Sequence, residues 1–255
     1  MRSHRFFTDI PLGINCQVEL PADASHHCAQ VLRYKEGDQL TVFNGDGFDY
    51  LATIITINKK RCEIDINKQI AVNNESPLTI HLFQGIAKGD KMDLIIQKAV
   101  ELGVAEITPL FTERCNVKLN NKRLAKKLEH WNKVSISACE QSGRAVIPKI
   151  NQAIQIENLQ IDNQQTANQQ TDNQKIGKLI TFYLEPTSEK SFSDYQIENK
   201  NVALLVGPEG GFSDRDLQQA DKKNLYGVSM GPRILRTETA GLSAIAILQS
   251  HFGDL

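Results

Sequence analysis

Two glycine-rich turns near the end of the chain most constrain its fold. The first follows the apolar run Val202–Val206, which is typical of a strand buried on both faces, and reads GPEGGFS. Ser213 and Asp216 then form a variant of the capping box that begins a helix. The second turn follows a short strand at 227–230, reads GPRILRTETA and leads into the closing helix. This repeated order predicts neighbouring parallel strands with both turns at their carboxyl ends, where open α/β sheets bind ligands.

Each turn taken alone has a structural explanation, because a tight turn after a buried strand commonly needs glycine at positive φ. The pair favours a ligand site, since Glu209 lies in the first turn and Arg236 and Glu238 lie in the second, beside backbone left bare by glycine. Neither turn matches the G-x-x-x-x-G-K-[ST] or G-x-G-x-x-G phosphate loops. The sequence therefore gives no support to a nucleoside triphosphate or a dinucleotide as ligand.

The region before these turns predicts a βαβ unit. A strand at 78–83 is followed by the loop 84–89, and we expect Asp90 to cap a helix whose apolar face is spaced at helical period. Gly103 ends that helix, and 107–111 forms the next strand. The order strand, helix, strand indicates a parallel sheet.

Three further segments complete the domain organisation. Residues 1–72 predict a small β-rich domain with a hairpin turn at Asn44–Gly47. Residues 73–77 form a polar, proline-containing linker, and 78–255 form the second domain. Within it, residues 151–175 contain an Asn/Gln-rich tract with little apolar surface to bury, so we expect a flexible insert.

Composition excludes several classes of protein. The chain is 40% hydrophobic and 23% charged, as in ordinary soluble globular proteins, and no apolar run reaches the length of a membrane span. Its five cysteines are scattered, which predicts reduced thiols in a cytosolic protein. The adjacent residues His26, His27 and Cys28 point in different directions on a helix, so we expect no metal site.

The net charge of −1 does not indicate a nucleic-acid partner. The stretch from Arg114 to Lys133, however, contains seven basic residues and one acid, Glu129. Such a helix is either a solvated face or a surface for phosphate contacts.

The paired motifs GPEGGFS and MGPRILRTETA resemble those of the RsmE family of ribosomal RNA methyltransferases, in the SPOUT superfamily. The resemblance extends to KGDKMDLIIQKAVELGVAEITPLFTERC, EQSGR, RFF and HHCAQVLRYKEGD, and so covers most of the chain outside the insert. It implies an α/β fold: a C-terminal SPOUT-type parallel sheet with a trefoil knot, and an N-terminal PUA-like β-barrel that binds RNA. It also implies a cytoplasmic homodimer that uses S-adenosylmethionine (SAM) to methylate N3 of a uridine in 16S rRNA, within the small ribosomal subunit.

The motifs and the resemblance together nominate site residues. Methylating N3 requires loss of its proton and stabilisation of charge on the ring, so Arg236 is the expected electrostatic stabiliser and Glu209 or Glu238 the candidate general base. Either glutamate could instead have a structural role, and a base is dispensable if the arginine lowers the pKa of the nucleobase. The expected cofactor residues are Leu184, Glu185, Leu205, Gly207, Pro208, Gly210, Gly211, Met230, Gly231, Ile234, Leu235 and Ala240. The expected RNA-binding residues are Arg5, Arg33, Lys88, Arg114 and Arg144.

Three other functions remain open at this stage. A SPOUT methyltransferase acting on another RNA would share both glycine turns. A non-catalytic ribosome-assembly factor would keep the fold, but every motif position that can be matched is filled here, including Arg236. An enzyme acting on a small molecule would leave the β-rich domain and the basic helix unexplained.

Overall fold

The computed structural model describes residues 4–115, 120–160, 179–197 and 200–255. The chain divides into two compact units. The first comprises Met1–Glu75 together with Ile136–Ile147, and the second comprises Ser76–Ser135 together with Pro148–Leu255. The first unit is therefore discontinuous along the chain, which no local pattern in the sequence predicts.

The first unit is built on a five-stranded sheet. In spatial order its strands are β1 (Arg5–Phe7), β3 (Gln39–Phe43), β4 (Phe48–Ile57), β5 (Cys62–Ala71) and β2 (Gln17–Glu19). β1 is parallel to β3, and the other neighbours are antiparallel. The predicted hairpin at Asn44–Gly47 is confirmed, because it joins β3 to β4. A short helix, α1 (Ala22–His26), continues into one π-helical turn, His27–Val31.

The second segment of this unit is hydrogen-bonded to the first. It contains the end of α3 (Asn121–Ser142) and the residues that follow it. The Phe7 N–H donates to Oε1 of Glu140 over 3.0 Å, and Nδ2 of Asn74 donates to the carbonyl of Gly143 over 2.8 Å. The EQSGR motif therefore forms part of the first unit.

The second unit is organised by a parallel sheet, which confirms the predicted fold class. Its strands lie in the order β12 (Tyr226–Val228), β10 (Ile180–Leu184), β11 (Asn201–Val206), β6 (Thr79–Gly85), β7 (Glu106–Phe111) and β8 (Lys149–Ile150), and β9 (Ile154–Gln155) also pairs with β7. Every pairing is parallel. The apolar run Val202–Val206 is buried throughout, at 1% exposure or less, as predicted for a strand covered on both faces. The loops that follow these strands therefore open at one common edge of the sheet.

Four helices pack in the second unit or continue from it: α2 (Lys91–Glu101), α3, α4 (Asp214–Lys222) and α5 (Thr237–Phe252). The predicted apolar face of α2 is confirmed, because all five of its side chains are fully buried: Met92, Ile95, Ile96, Ala99 and Val100. The capping box of α4 is also confirmed. Ser213 Oγ accepts from the Asp216 N–H over 3.1 Å, and Asp216 Oδ2 accepts from the Ser213 N–H over 2.9 Å.

Two local expectations are wrong. Asp90 precedes α2 but makes no capping hydrogen bond, since its backbone (φ −79°, ψ −3°) is already helical and not extended as a capping residue requires. The second is flexibility at residues 151–160, the first part of the predicted insert 151–175. Residues 151–160 include β9 and a 3-10 turn at Ile156–Asn158, and Ile156 and Leu159 are each 2% exposed in the core. The Asn/Gln-rich tract that follows lies outside the described residues.

Within the described ranges, no helix combines the length and apolar character needed to cross a membrane.

Candidate functional site

A cavity of about 640 Å³ lies at the carboxyl edge of the parallel sheet. The loops after β10, β11 and β12 line it, together with the first turn of α5. This volume is within the range of small-molecule binding sites, roughly 300–1,000 Å³. Both glycine turns therefore contribute to one cavity, as their position after parallel strands predicts.

Eleven of the twelve expected cofactor residues line this cavity; they are Leu184, Glu185, Gly207, Pro208, Gly210, Gly211, Met230, Gly231, Ile234, Leu235 and Ala240. The exception is Leu205, which is fully buried in a core cluster that includes Phe83 and Leu110. Successive side chains of a strand point to opposite faces, so Leu205 faces the core and its neighbour Val206 faces the cavity. Assigning Leu205 to the cofactor is therefore not supported.

The apolar part of the cavity wall differs from the expected one. Ile234 lines the cavity but is 86% exposed, so it belongs to the rim. Val206, Phe212 and Val228 are buried side chains that line the cavity, and the sequence analysis missed them. Their positions were suggestive, because Val206 ends one predicted strand, Val228 lies in the next, and Phe212 lies in the first glycine turn.

Gly85, the last residue of β6, fixes the position of the first glycine turn. A Cβ atom at Gly85 would lie 2.5 Å from the nitrogen of Pro208 and 2.8 Å from the carbonyl carbon of Gly207. These are backbone atoms, so no side-chain rotation can relieve the overlap. The absence of a side chain at Gly85 therefore allows β6 and the turn to approach this closely.

Gly210 lines the cavity and also packs against Arg114. A Cβ there would meet the Cβ of Arg114 at 3.0 Å and its carbonyl oxygen at 3.3 Å. Nη1 of Arg114 also donates to the Gly210 carbonyl over 3.3 Å. Packing against Arg114 therefore explains this glycine without invoking a ligand.

A buried polar chain joins β6, the first turn and α5. Nε2 of Gln84 donates to Oγ1 of Thr237 over 2.9 Å, and Oγ1 of Thr237 donates to the Gly207 carbonyl over 2.6 Å. Gln84 is fully buried and Thr237 is 5% exposed, so solvent does not compete for these bonds. These hydrogen bonds fix the position of one glycine turn relative to the other.

The two candidate general bases are both engaged by neighbouring groups. Oε1 of Glu209 accepts from the Lys88 N–H over 2.9 Å. A hydrogen bond from its own backbone N–H lowers the pKa of Glu238; partial burial raises it, and the ammonium group of Lys91 lowers it further. Glu238 is therefore ionised at neutral pH, and its pairing is lost only as the pH falls through that lowered pKa.

Arg236 is an exposed residue of the cavity lining. It precedes α5 in extended conformation. Across the described ranges, its guanidinium group makes no ion pair. Its charge is thus available to a ligand in the cavity.

Two of the expected RNA-binding arginines, Arg5 and Arg144, are largely buried and form ion pairs within the first unit. Nη2 of Arg5 lies 2.6 Å from Oδ1 of Asp49, and its side chain is 12% exposed. Nε of Arg144 donates to Oε1 of Glu75 over 3.1 Å, and its side chain is 5% exposed. Both cations are largely buried and already have carboxylate partners, so direct phosphate contacts by Arg5 or Arg144 are not supported.

The other three, Arg33, Lys88 and Arg114, are exposed. The start of α3 adds a further basic surface. Its first turn contains no acid, and the side chains of Lys122, Arg123 and Lys126 are exposed.

The sequence matches two described families. Residues 74–249 match the family described as an RNA methyltransferase domain, and residues 20–67 match an RNA methyltransferase PUA domain. With the parallel sheet and its cavity, these matches define a class: RNA methyltransferases that carry a PUA domain.

Relatives narrow this class. Ribosomal RNA small subunit methyltransferase E of Buchnera aphidicola subsp. Schizaphis graminum is 38% identical over 254 residues, covering 100% of this chain and 98% of the relative. The enzyme of the same name from Bacillus subtilis is 30% identical over 229 residues, covering 88% and 86%. The chain belongs to the ribosomal RNA small subunit methyltransferase E family.

Two solved structures are also similar over their full length. The Neisseria gonorrhoeae ribosomal RNA small subunit methyltransferase E bound to SAM is 35% identical, with a TM-score of 0.86 and 100% of both chains covered. A Legionella pneumophila protein solved with bound SAM is 39% identical, with a TM-score of 0.89 and the same coverage.

Proposed function

We propose that this protein transfers a methyl group from SAM to N3 of a uridine in 16S rRNA. The observation that carries the proposal is the cavity that both glycine turns build, with Arg236 in its lining. Relatives at 35% and 39% identity hold SAM, which supports the choice of cofactor.

The cavity suits SAM chemically. Gly211 and Gly231 adopt φ values of +67° and +97°, and a Cβ at either would meet nothing within 4 Å, so their backbone is open to a ligand. Leu184, Val206 and Val228 supply apolar surface for an adenine ring, and backbone groups of the turns supply polar contacts. When bound, SAM supplies an electrophilic methyl group on a sulfonium sulfur.

Arg236 is the group that we assign to the uracil ring. As the N3 proton leaves, negative charge spreads onto the two carbonyl oxygens of the ring, and a fixed guanidinium in a partly dehydrated site stabilises that charge. The same interaction lowers the pKa of N3–H, so that solvent water can accept the proton without a strong general base. Aligning N3 with the methyl group contributes the rest of the acceleration.

The proposed RNA-contacting residues are Arg33, Lys88 and Arg114, together with Lys122, Arg123 and Lys126 on α3. Cations at a helix N-terminus oppose the macrodipole and cost stability there. Their accumulation in the first turns of α3, without an acid in the first turn, favours a role in binding phosphate.

Replacing Lys122 and Lys126 together by glutamine should weaken RNA binding and reduce the slope of log K against log salt by about two, one for each lost phosphate contact. The measurement is a filter-binding or fluorescence titration with small-subunit rRNA at several salt concentrations. Lys133→Gln is the matched control, because Lys133 lies on the same helix but pairs with Glu129 at 3.3 Å. If the double variant keeps the wild-type slope, these residues of α3 do not contact RNA.

The reaction is tested by incubating purified protein and labelled SAM with small-subunit particles that lack their own uridine-N3 methylation, followed by nucleoside mass spectrometry. We expect labelled 3-methyluridine. Arg236→Met should lower the rate by roughly 10²–10³-fold, while SAM binds as in the wild type. Label in another nucleoside would overturn the substrate assignment. Intact SAM binding without any label would favour a non-catalytic assembly factor.

We propose in addition that the protein acts in the cytoplasm as a homodimer. The support is α5, whose apolar side chains Leu242 and Ile247 are only half-buried in one copy and would be covered by a second. Sedimentation equilibrium should give twice the chain mass, and a monomer at micromolar concentration would contradict the proposal.

A further inference from the structure

Lys91 lines the cavity and lies in the KGDKMDL stretch, but the proposed mechanism gives it no role. It is the first residue of α2, and its side chain is 33% exposed. Its Nζ lies 3.2 Å from Oε2 of Glu238 and 3.9 Å from Oε1 of Glu209. One ammonium group thus faces a carboxylate from each of the two glycine turns.

These carboxylates belong to different segments. Glu209 lies in the first glycine turn, after β11, and Glu238 lies in the part of the second glycine turn that forms the first turn of α5. The Lys88 N–H, three residues before Lys91, holds the same Oε1 atom of Glu209 over 2.9 Å. The segment 88–91 therefore contacts both turns through their acids.

The pairing is more protected than an ordinary surface ion pair. The side chains of Glu209 and Glu238 are 25% and 17% exposed, so solvent screens the three charges only in part. Without the ammonium group, two carboxylates would face each other across the cavity wall, and their repulsion would separate the two turns.

We propose that Lys91 is a positioning residue that holds the two glycine turns together through Glu209 and Glu238, and so sets the shape of the SAM-binding cavity. The inference rests on the proposed function. In this inference both glutamates have a structural role, because they are the anions that Lys91 joins. Arg236 is then the charged group directed at the uracil ring. The pKa of Glu238 is lowered by a hydrogen bond from its own backbone N–H and by Lys91, so Glu238 is a weak proton acceptor, which agrees with that division of roles.

The test is isothermal calorimetry of SAM binding to the full-length protein without RNA. Lys91→Met should weaken SAM binding about tenfold, because the turns lose their common partner. Lys91→Arg, which can face both carboxylates, should stay within about threefold of the wild type. Lys98→Met is the matched control, because Lys98 lies on the same helix and pairs with Glu101 at 2.8 Å, so its SAM affinity should be unchanged.

A second set of variants tests whether charge is the cause. Adding Glu209→Gln and Glu238→Gln to Lys91→Met removes the uncompensated carboxylates and should recover most of the lost affinity. If Lys91→Met does not fold, Glu238→Gln alone should still weaken SAM binding, by a smaller factor.

The possible outcomes separate this inference from the proposed function. Absence of SAM binding by the wild type would overturn the proposed function itself. If Lys91→Met binds SAM with wild-type affinity, the positioning role is overturned. If that variant also loses methyl transfer, Lys91 acts on RNA or on the reaction directly. Failure of Lys91→Arg to restore affinity would also count against the positioning role.

Discussion

Replacing Gly85 by alanine should abolish most of the activity. The added Cβ would lie 2.5 Å from the nitrogen of Pro208 and 2.8 Å from the carbonyl carbon of Gly207, so β6 and the first glycine turn must move apart. A displacement of about 1 Å at a catalytic site can lower the rate roughly 100-fold, and overpacking of this kind costs about 1–3 kcal/mol of stability. The measurements are the methyl-transfer rate, SAM affinity and the free energy of unfolding in urea.

Gly13→Ala is the control for Gly85→Ala. A Cβ at Gly13 would meet only Sγ of Cys16, at 3.4 Å, which is an ordinary contact. We expect this variant to bind SAM and transfer methyl groups as the wild type does. Retention of the full rate in Gly85→Ala would show that the close approach to Pro208 does not shape the site.

Replacing Arg144 by methionine should lower the free energy of unfolding by about 2–3 kcal/mol. Removing one partner of a buried ion pair typically costs 3–5 kcal/mol, because the other charge is left without compensation. Glu75 is 33% exposed, so water recovers part of that loss. Urea denaturation followed by circular dichroism provides the measurement, and the salt dependence of RNA binding should not change.

Lys133→Met provides the comparison for Arg144→Met. Lys133 and Glu129 are 67% and 70% exposed, and exposed pairs on one helix contribute only about 0.3–0.5 kcal/mol. The contrast between the two variants measures the effect of burial. If Arg144→Met is as stable as the wild type and its RNA binding depends less on salt, Arg144 contacts RNA.

Features that depend on near neighbours were predictable from sequence. The buried strand at Val202–Val206, the five buried side chains of α2 and the Ser213–Asp216 capping box follow from hydrophobic spacing and local hydrogen bonds. The shared carboxyl edge followed from the order of strands and helices, and for that reason eleven of the twelve residues expected to bind the cofactor line the cavity.

Features that depend on distant partners were not predictable. Arg144 is neutralised by Glu75, 69 residues away, and Lys91 meets Glu238 at a separation of 147 residues. A sequence shows that such residues are charged, but not which partner the fold brings to them. Gly85 is a similar case, because its requirement for glycine comes from the backbone of Pro208.

The discontinuity of the first unit has an evolutionary consequence. A domain that occupies one stretch of a gene can be acquired or exchanged by a single recombination event at its boundary. Here an exchange of Met1–Glu75 alone would leave Ile136–Ile147 behind, and with it Arg144 without Glu75. Lineages of this family should therefore inherit both units together, with substitutions in one segment matched by compensating substitutions in the other.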